Sequence, residues 1–99
     1  LIFTSGQVAL NEHGVIATED IKEQTRIVIN NLRKILQEGG SSLFNVIKTT
    51  VFLKDMNDFA QMNEVYNEFF EKVLPARSTV EVSRLPKDAK VEIEVIAFI

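Results

Sequence analysis

The sequence contains no cysteine, so it carries no disulfide framework, no thiolate metal site and no thiol nucleophile. It holds a single histidine, His13, too few for a multi-histidine metal centre. Any Ser-His-Asp triad would rest on that one residue. No apolar run approaches the ~20 residues of a membrane-spanning helix. Nor is there a block of positive charge: 11 basic against 14 acidic residues give a net charge of −3. The basic residues are scattered, and the closest pair, Arg33-Lys34, falls on an expected helix. Nucleic-acid binders neutralise several phosphates with clustered Lys and Arg, so nucleic acid is not an expected partner.

What is present reads as one folded domain. A chain of 99 residues has room for one core and not two. Its 45% apolar and 25% charged residues supply enough apolar surface to offset the ordering entropy that keeps disordered chains unfolded. A short chain with seven Phe and many Val and Ile is expected to turn some apolar surface toward another chain. It opens at Leu1 without an initiator Met or a signal-peptide pattern, and Leu1-Ile2-Phe3 already reads as mid-strand. The natural N-terminus is therefore expected to lie upstream.

The segment Leu1–Val8 is β-rich as far as Gly6, which suggests a strand ending in a site or a bulge. Asn11–Gly14 is turn chemistry, with a short return strand at Val15-Ile16. Asp20–Glu38 reads as a helix, capped by Thr18 or Asp20, with Ile21, Val28, Leu32, Ile35 and Leu36 on one stripe. Gly39-Gly40 stops it. Val46–Leu53 is β-branched and aromatic, a strand. Asn57 is the expected cap of a second helix that places Phe59, Met62, Val65, Tyr66, Phe69 and Phe70 on one face, read as core. Pro75 breaks the chain. Ser78–Val82 and Val91–Ile99 are expected strands joined by a turn at Leu85–Asp88. Two amphipathic helices can cover one face of such a sheet, which leaves the other face polar or packed on a neighbour. In the last strand Val91, Ile93, Val95 and Ala97 share one face and Ile96 and Phe98 the other, so both faces are partly apolar.

Few residues could carry chemistry. Arg77 follows Pro75-Ala76 at a strand entry, where its guanidinium either grips a carboxylate with two parallel hydrogen bonds or forms a structural ion pair. Glu92 and Glu94 point to the same side of a hydrophobic strand, either solvated at an edge or perturbed and poised for proton transfer. Thr4-Ser5-Gly6-Gln7 offers a hydroxyl and a close backbone approach, or a plain bulge. Asn63 faces either the sheet or solvent, and His13 is an exposed loop residue without a role. On their own these residues describe a soluble α+β domain with a carboxylate-binding site and no named reaction.

Seven stretches carry a resemblance. They are Leu1–Gln7, Asp20–Thr25, Val46–Met56, Asn63–Tyr66, Pro75–Ser78, Val80–Asp88 and Glu92–Glu94. In order and spacing, over essentially all 99 residues, the sequence resembles the RidA family, also called YjgF, the reactive intermediate deaminases. The resemblance implies a chorismate-mutase-like two-layer fold, a mixed sheet with two helices on one face. It implies a cytoplasmic homotrimer with a barrel-like core and clefts between subunits. It also implies hydrolysis of 2-imino acids, such as those tautomerising from 2-aminoacrylate, to 2-keto acids and ammonia, with no metal or organic cofactor. Carried over by motif, Arg77 is the carboxylate-binding arginine and Glu92 the water-positioning glutamate. Ser5, Gly6 and Asn63 line the pocket. Thr79 stands where many members have cysteine. The family's first strand and pocket tyrosine precede Leu1 and are absent from this sequence. Two other readings attach to the family: a non-catalytic regulator that binds small carboxylates or purines, and an RNA-cleaving translation inhibitor, which the acidic charge disfavours.

Overall fold

Helix α1 (Ile21–Glu38) starts where Asp20 closes its open N-terminus: the Asp20 carboxylate accepts the Glu23 backbone N–H at 3.0 Å. Thr18 supports the cap by accepting the Asp20 N–H at 3.1 Å through its hydroxyl oxygen. At the other end Gly40 takes φ +79°, and the Ser41 N–H reaches back to the Leu36 carbonyl at 2.8 Å, which closes the last turn. The buried stripe comprises Ile21, Val28, Ile29, Leu32 and Leu36, with Gln24 and Thr25 among them. Both polar residues are satisfied. Gln24 Nε2 donates to the Thr18 carbonyl at 2.8 Å, its Oε1 accepts the Lys90 N–H at 3.0 Å, and Thr25 donates to the Ile21 carbonyl at 2.8 Å. Ile35, expected in the stripe, is exposed, because the contact line moves toward Leu36 in the last turn.

The computed structural model describes all 99 residues. Its sheet has four strands: β1 (Ile2–Phe3), β2 (Val46–Leu53), β3 (Ala76–Glu81) and β4 (Val91–Ala97), in the order β1-β4-β2-β3. Only the β2–β3 pair is parallel. Helix α2 (Phe59–Phe70) bridges β2 and β3 and packs with α1 on one face of the sheet. Met62, Val65, Tyr66 and Phe70 of α2 are buried, as are Val51, Leu53, Val91, Ile93 and Val95 of the sheet. The α+β class and the two-helix layer agree with the sequence expectation.

Five local expectations need correction. The strand expected over Leu1–Val8 pairs continuously only at Ile2–Phe3. Thr4 then accepts the Val95 N–H through its hydroxyl at 3.0 Å in place of a backbone carbonyl, and the chain bulges through Ser5-Gly6. It rejoins at Gln7, which exchanges backbone bonds of 2.9 and 3.1 Å with Ile93. Asn57 is not the cap of α2: Asp55 accepts the Asn57 N–H at 2.9 Å and starts a 3₁₀ turn over Met56–Asp58 that runs into the helix. The third strand starts earlier than expected, at Ala76, so Arg77 is within the ladder rather than at its entrance. Val15-Ile16 contributes a single bridge, Leu10 to Ile16, and the last strand stops at Ala97.

The second sheet face carries no helix. Partners across the ladder share a face, so its rows are Glu92–Phe52–Val80 and Glu94–Thr50–Ser78, with Ile96 beside Lys48 and Phe3. Phe3 and Val80 are exposed there.

Candidate active site

Arg77 pairs in register with Thr49 of β2, which pairs with Val95 of β4, so its side chain leaves the sheet on the helix-covered face. Thr49 and Val95 are buried, whereas Arg77 sits on an edge strand and is half-buried. There it meets α2, which presents Phe59, Asn63 and Tyr66 at a spacing of four and three residues, one stripe of a helix. The guanidinium carbon lies 4.5 Å from the Tyr66 ring centroid and 5.4 Å from that of Phe59. Nη1 donates to Asn63 Oδ1 at 2.7 Å. The Tyr66 ring is fixed from behind by a buried 2.8 Å hydrogen bond between its hydroxyl and that of Thr49. Burial raises the Tyr66 pKa, opposed by the Thr49 bond and the Arg77 charge, so the phenol stays neutral.

This arrangement spends only part of the arginine. Two aromatic faces and one carboxamide hold the guanidinium, and no carboxylate of the chain pairs with it. Nη1 is committed, while the Nε–H and Nη2–H edge makes no bond within the chain. That edge is the planar two-donor fork that matches a carboxylate. A cleft of about 300 Å³ opens beside it, lined by Tyr66, Asn67, Phe70, Leu74, Pro75 and Arg77.

Glu92 pairs with Phe52 of β2 and lies on the opposite, uncovered face. Partial burial raises its pKa, and the neighbouring Glu94 charge raises it further. Its carboxyl group packs directly over Gly6 in the bulge: a Cβ at position 6 would stand 2.7 Å from Glu92 Cδ and 3.0 Å from Cγ. Gly6, one of the residues expected in the pocket, therefore lies against Glu92. Ser5 itself is exposed. Glu94 shares the face with Glu92 but is more exposed.

The expected site residues thus fall into two groups. Arg77 and Asn63 stand together on the helix side, and Glu92 and Gly6 stand together on the bare side, with Ser5 next to Gly6 in the chain. Within one chain the sheet lies between Arg77 and Glu92. His13 is an exposed loop residue beside Glu12, as expected. Three contributors were not anticipated as site residues. Phe59 and Tyr66 were read as core, and their i, i+7 spacing around Asn63 was the available signal. Leu74 had none.

Leu74 also stands out in its backbone. Its N–H closes α2 by bonding the Phe70 carbonyl at 2.9 Å, and it adopts φ +54°. A left-handed conformation costs a non-glycine residue about 1–2 kcal/mol. The residue before proline is sterically restricted as well.

Comparison with known proteins adds the following. A family model described as endoribonuclease L-PSP matches residues 1–99. A RutC family protein of Pyrococcus abyssi is 57% identical over 98 residues, which cover 98% of this chain and 77% of that protein. The 2-iminobutanoate/2-iminopropanoate deaminase of Salmonella typhimurium is 44% identical over 100 residues, covering 98% of this chain and 78% of that one. The crystal structure of Escherichia coli TdcF with bound serine superposes with a TM-score of 0.89 at 46% identity, over 96% of this chain and 78% of that one.

Proposed function

This chain belongs to the RidA/YjgF family, and from that premise we propose that it hydrolyses 2-imino acids to 2-keto acids and ammonia. The observation that carries the reading is the half-buried Arg77 guanidinium, oriented by Tyr66, Phe59 and Asn63 and left without a carboxylate partner. A substrate carboxylate on its free Nε/Nη2 edge would hold C2 of the imine at a fixed distance from the sheet edge.

The chemistry then needs a water and a base. Glu92 has a carboxyl group seated over Gly6 and a raised pKa, which makes it a better proton acceptor than an ordinary carboxylate. It takes a proton from water as the oxygen bonds to C2 and passes that proton to the imine nitrogen, which gives the carbinolamine. Glu92 then takes the hydroxyl proton and delivers it to the amino nitrogen as the C–N bond breaks, which restores the carboxylate. Ammonia leaves and the 2-keto acid remains. No redox or covalent enzyme intermediate enters this balance, so the reading requires no cofactor.

Arg77 and Glu92 lie on opposite faces of one sheet, so a shared substrate requires two copies, Arg77 from one and Glu92 from the other. The exposed apolar residues of the bare face, Phe3 and Val80, suit burial against such a copy. We take the assembly to be a homotrimer with one cleft per interface, and the protein to act in the cytoplasm. Serine bound to E. coli TdcF supports the reading, since serine presents the same 2-substituted carboxylate.

The test is release of ammonia and keto acid from freshly generated 2-iminobutanoate, beyond the rate in buffer. Glu92→Gln should lose most of the activity and Glu94→Gln little, because only Glu92 packs on Gly6. Equal losses would assign the wrong carboxylate. Sedimentation showing a stable monomer at micromolar concentration would refute the shared cleft. The RNA-cleaving alternative lacks a histidine acid–base pair: the sole histidine, His13, is exposed in a loop beside Glu12.

A further inference from the structure

The cleft beside Arg77 is larger than a carboxylate needs. Beyond the guanidinium it is bounded by Leu74 and Pro75 on the chain entering β3 and by Tyr66, Asn67 and Phe70 of α2. Leu74 is the anomaly in this wall. It lies just beyond the end of α2 at φ +54°, a conformation glycine adopts more readily because a Cβ there crowds the backbone. It precedes Pro75, which restricts it further. Its side chain is 79% exposed, so no burial within the chain offsets the placement. A leucine in a left-handed backbone, lining a cleft and exposed rather than buried in the core, is placed for a contact outside the chain.

The geometry points to Leu74 as a specificity-determining residue. With Pro75 it forms an apolar wall against which the side chain of an Arg77-bound 2-imino acid packs. The chain then favours substrates with an aliphatic side chain of leucine size over 2-iminopropanoate, whose methyl group cannot reach the wall. This inference rests on the deaminase reading. The carboxylate fixed at Arg77 sets C2 beside the cleft, and the substituent on C2 runs toward polar Asn67, toward the Tyr66 and Phe70 rings, which are already buried, or toward Leu74 and Pro75. Only the last direction removes exposed apolar surface from water on both partners.

The experiment compares imines generated in situ from leucine and from alanine by an amino-acid oxidase, with wild type, Leu74→Gly and Leu74→Asn. Both substituents accept a left-handed backbone, so both variants should keep the assembly and melt no lower than wild type. The kcat/KM for the leucine-derived imine should fall about tenfold in each, and that for the alanine-derived imine less than about twofold, the scale of a lost hydrophobic pocket contact. Equal losses on both imines, or unchanged values, would overturn the assignment. Loss of the assembly in either variant would also overturn it and make Leu74 an interface residue. Calorimetric binding of 4-methyl-2-oxopentanoate against pyruvate reads the same wall without turnover. If wild type hydrolyses no imine, the deaminase reading fails, and the keto-acid preference and its loss in Leu74→Gly still decide the role of Leu74. If neither keto acid binds, both readings fail.

Discussion

Replacing Gly6 by alanine should inactivate the protein through a residue it does not alter. Gly6 does not adopt a positive φ, so alanine meets no backbone penalty there. The three atoms nearest a new Cβ all belong to Glu92, among them Cδ at 2.7 Å and Cγ at 3.0 Å. Real Cβ atoms do not approach that closely, so the Glu92 side chain must swing away by about 1 Å to restore ordinary van der Waals separation. The fold tolerates this, because Glu92 is a partly exposed side chain with no hydrogen-bonding partner in the chain to lose. Catalysis should not: misplacing a positioned group by about 1 Å costs on the order of a hundredfold. The assay is imine hydrolysis by wild type, Gly6→Ala, Glu92→Gln and the double variant, with melting curves on the same samples. Because Gly6 acts through Glu92, the double variant should be no worse than Glu92→Gln alone, a strongly non-additive cycle. Additive losses, or a Gly6→Ala enzyme with wild-type turnover, would show that the close packing over Gly6 has no bearing on the reaction.

The remaining predictions concern the arginine shelf and the pH response. Arg77→Lys replaces a two-donor fork with one point charge, and losing one charge-assisted bond to substrate costs about 1.5–3 kcal/mol. The kcat/KM should fall about ten- to a hundredfold, mostly through KM, and a folded Arg77→Ala variant with wild-type turnover would refute the anchor. Tyr66→Phe keeps the ring 4.5 Å from the guanidinium and loses only the bond to Thr49, so it should lower the melting temperature and leave KM nearly unchanged. Tyr66→Leu removes the stack, worth roughly 0.5–2 kcal/mol, and should raise KM as well; equal KM values for the two variants would show that the ring does not orient Arg77. Glu92 has a raised pKa in the folded chain, so its charge destabilises the fold above that pKa and not below the unfolded value. Glu92→Gln should therefore melt higher than wild type at neutral pH, and the difference should vanish as pH falls through the ordinary glutamate range. A gap that persists at low pH would contradict the assignment of the shift.

Much of this architecture is set by local chemistry and so is visible in the sequence. The α1 boundaries follow from Asp20 and Gly39-Gly40, β2 from its β-branched run, and the two-faced character of β4 from strict alternation. Arg77, Glu92, Gly6 and Asn63 could be picked out as candidates because residue type and motif are local properties. Their grouping could not. Whether Arg77 and Glu92 share a pocket depends on which strands pair and in what register, and the pairings Arg77–Thr49 and Phe52–Glu92 put them on opposite faces. That follows from a one-residue alternation summed across three strands, which no single segment contains. The bulge at Ser5-Gly6 likewise depends on a hydroxyl of Thr4 finding the N–H of Val95, ninety-one residues away. Tyr66 and Phe59 read as core because a helical stripe specifies a buried face without specifying what lies against it. Only the packed structure places a guanidinium there. The left-handed backbone of Leu74 is the extreme case: leucine carries no local preference for it, and the conformation is imposed by the need to turn from the end of α2 into a strand that begins at Ala76.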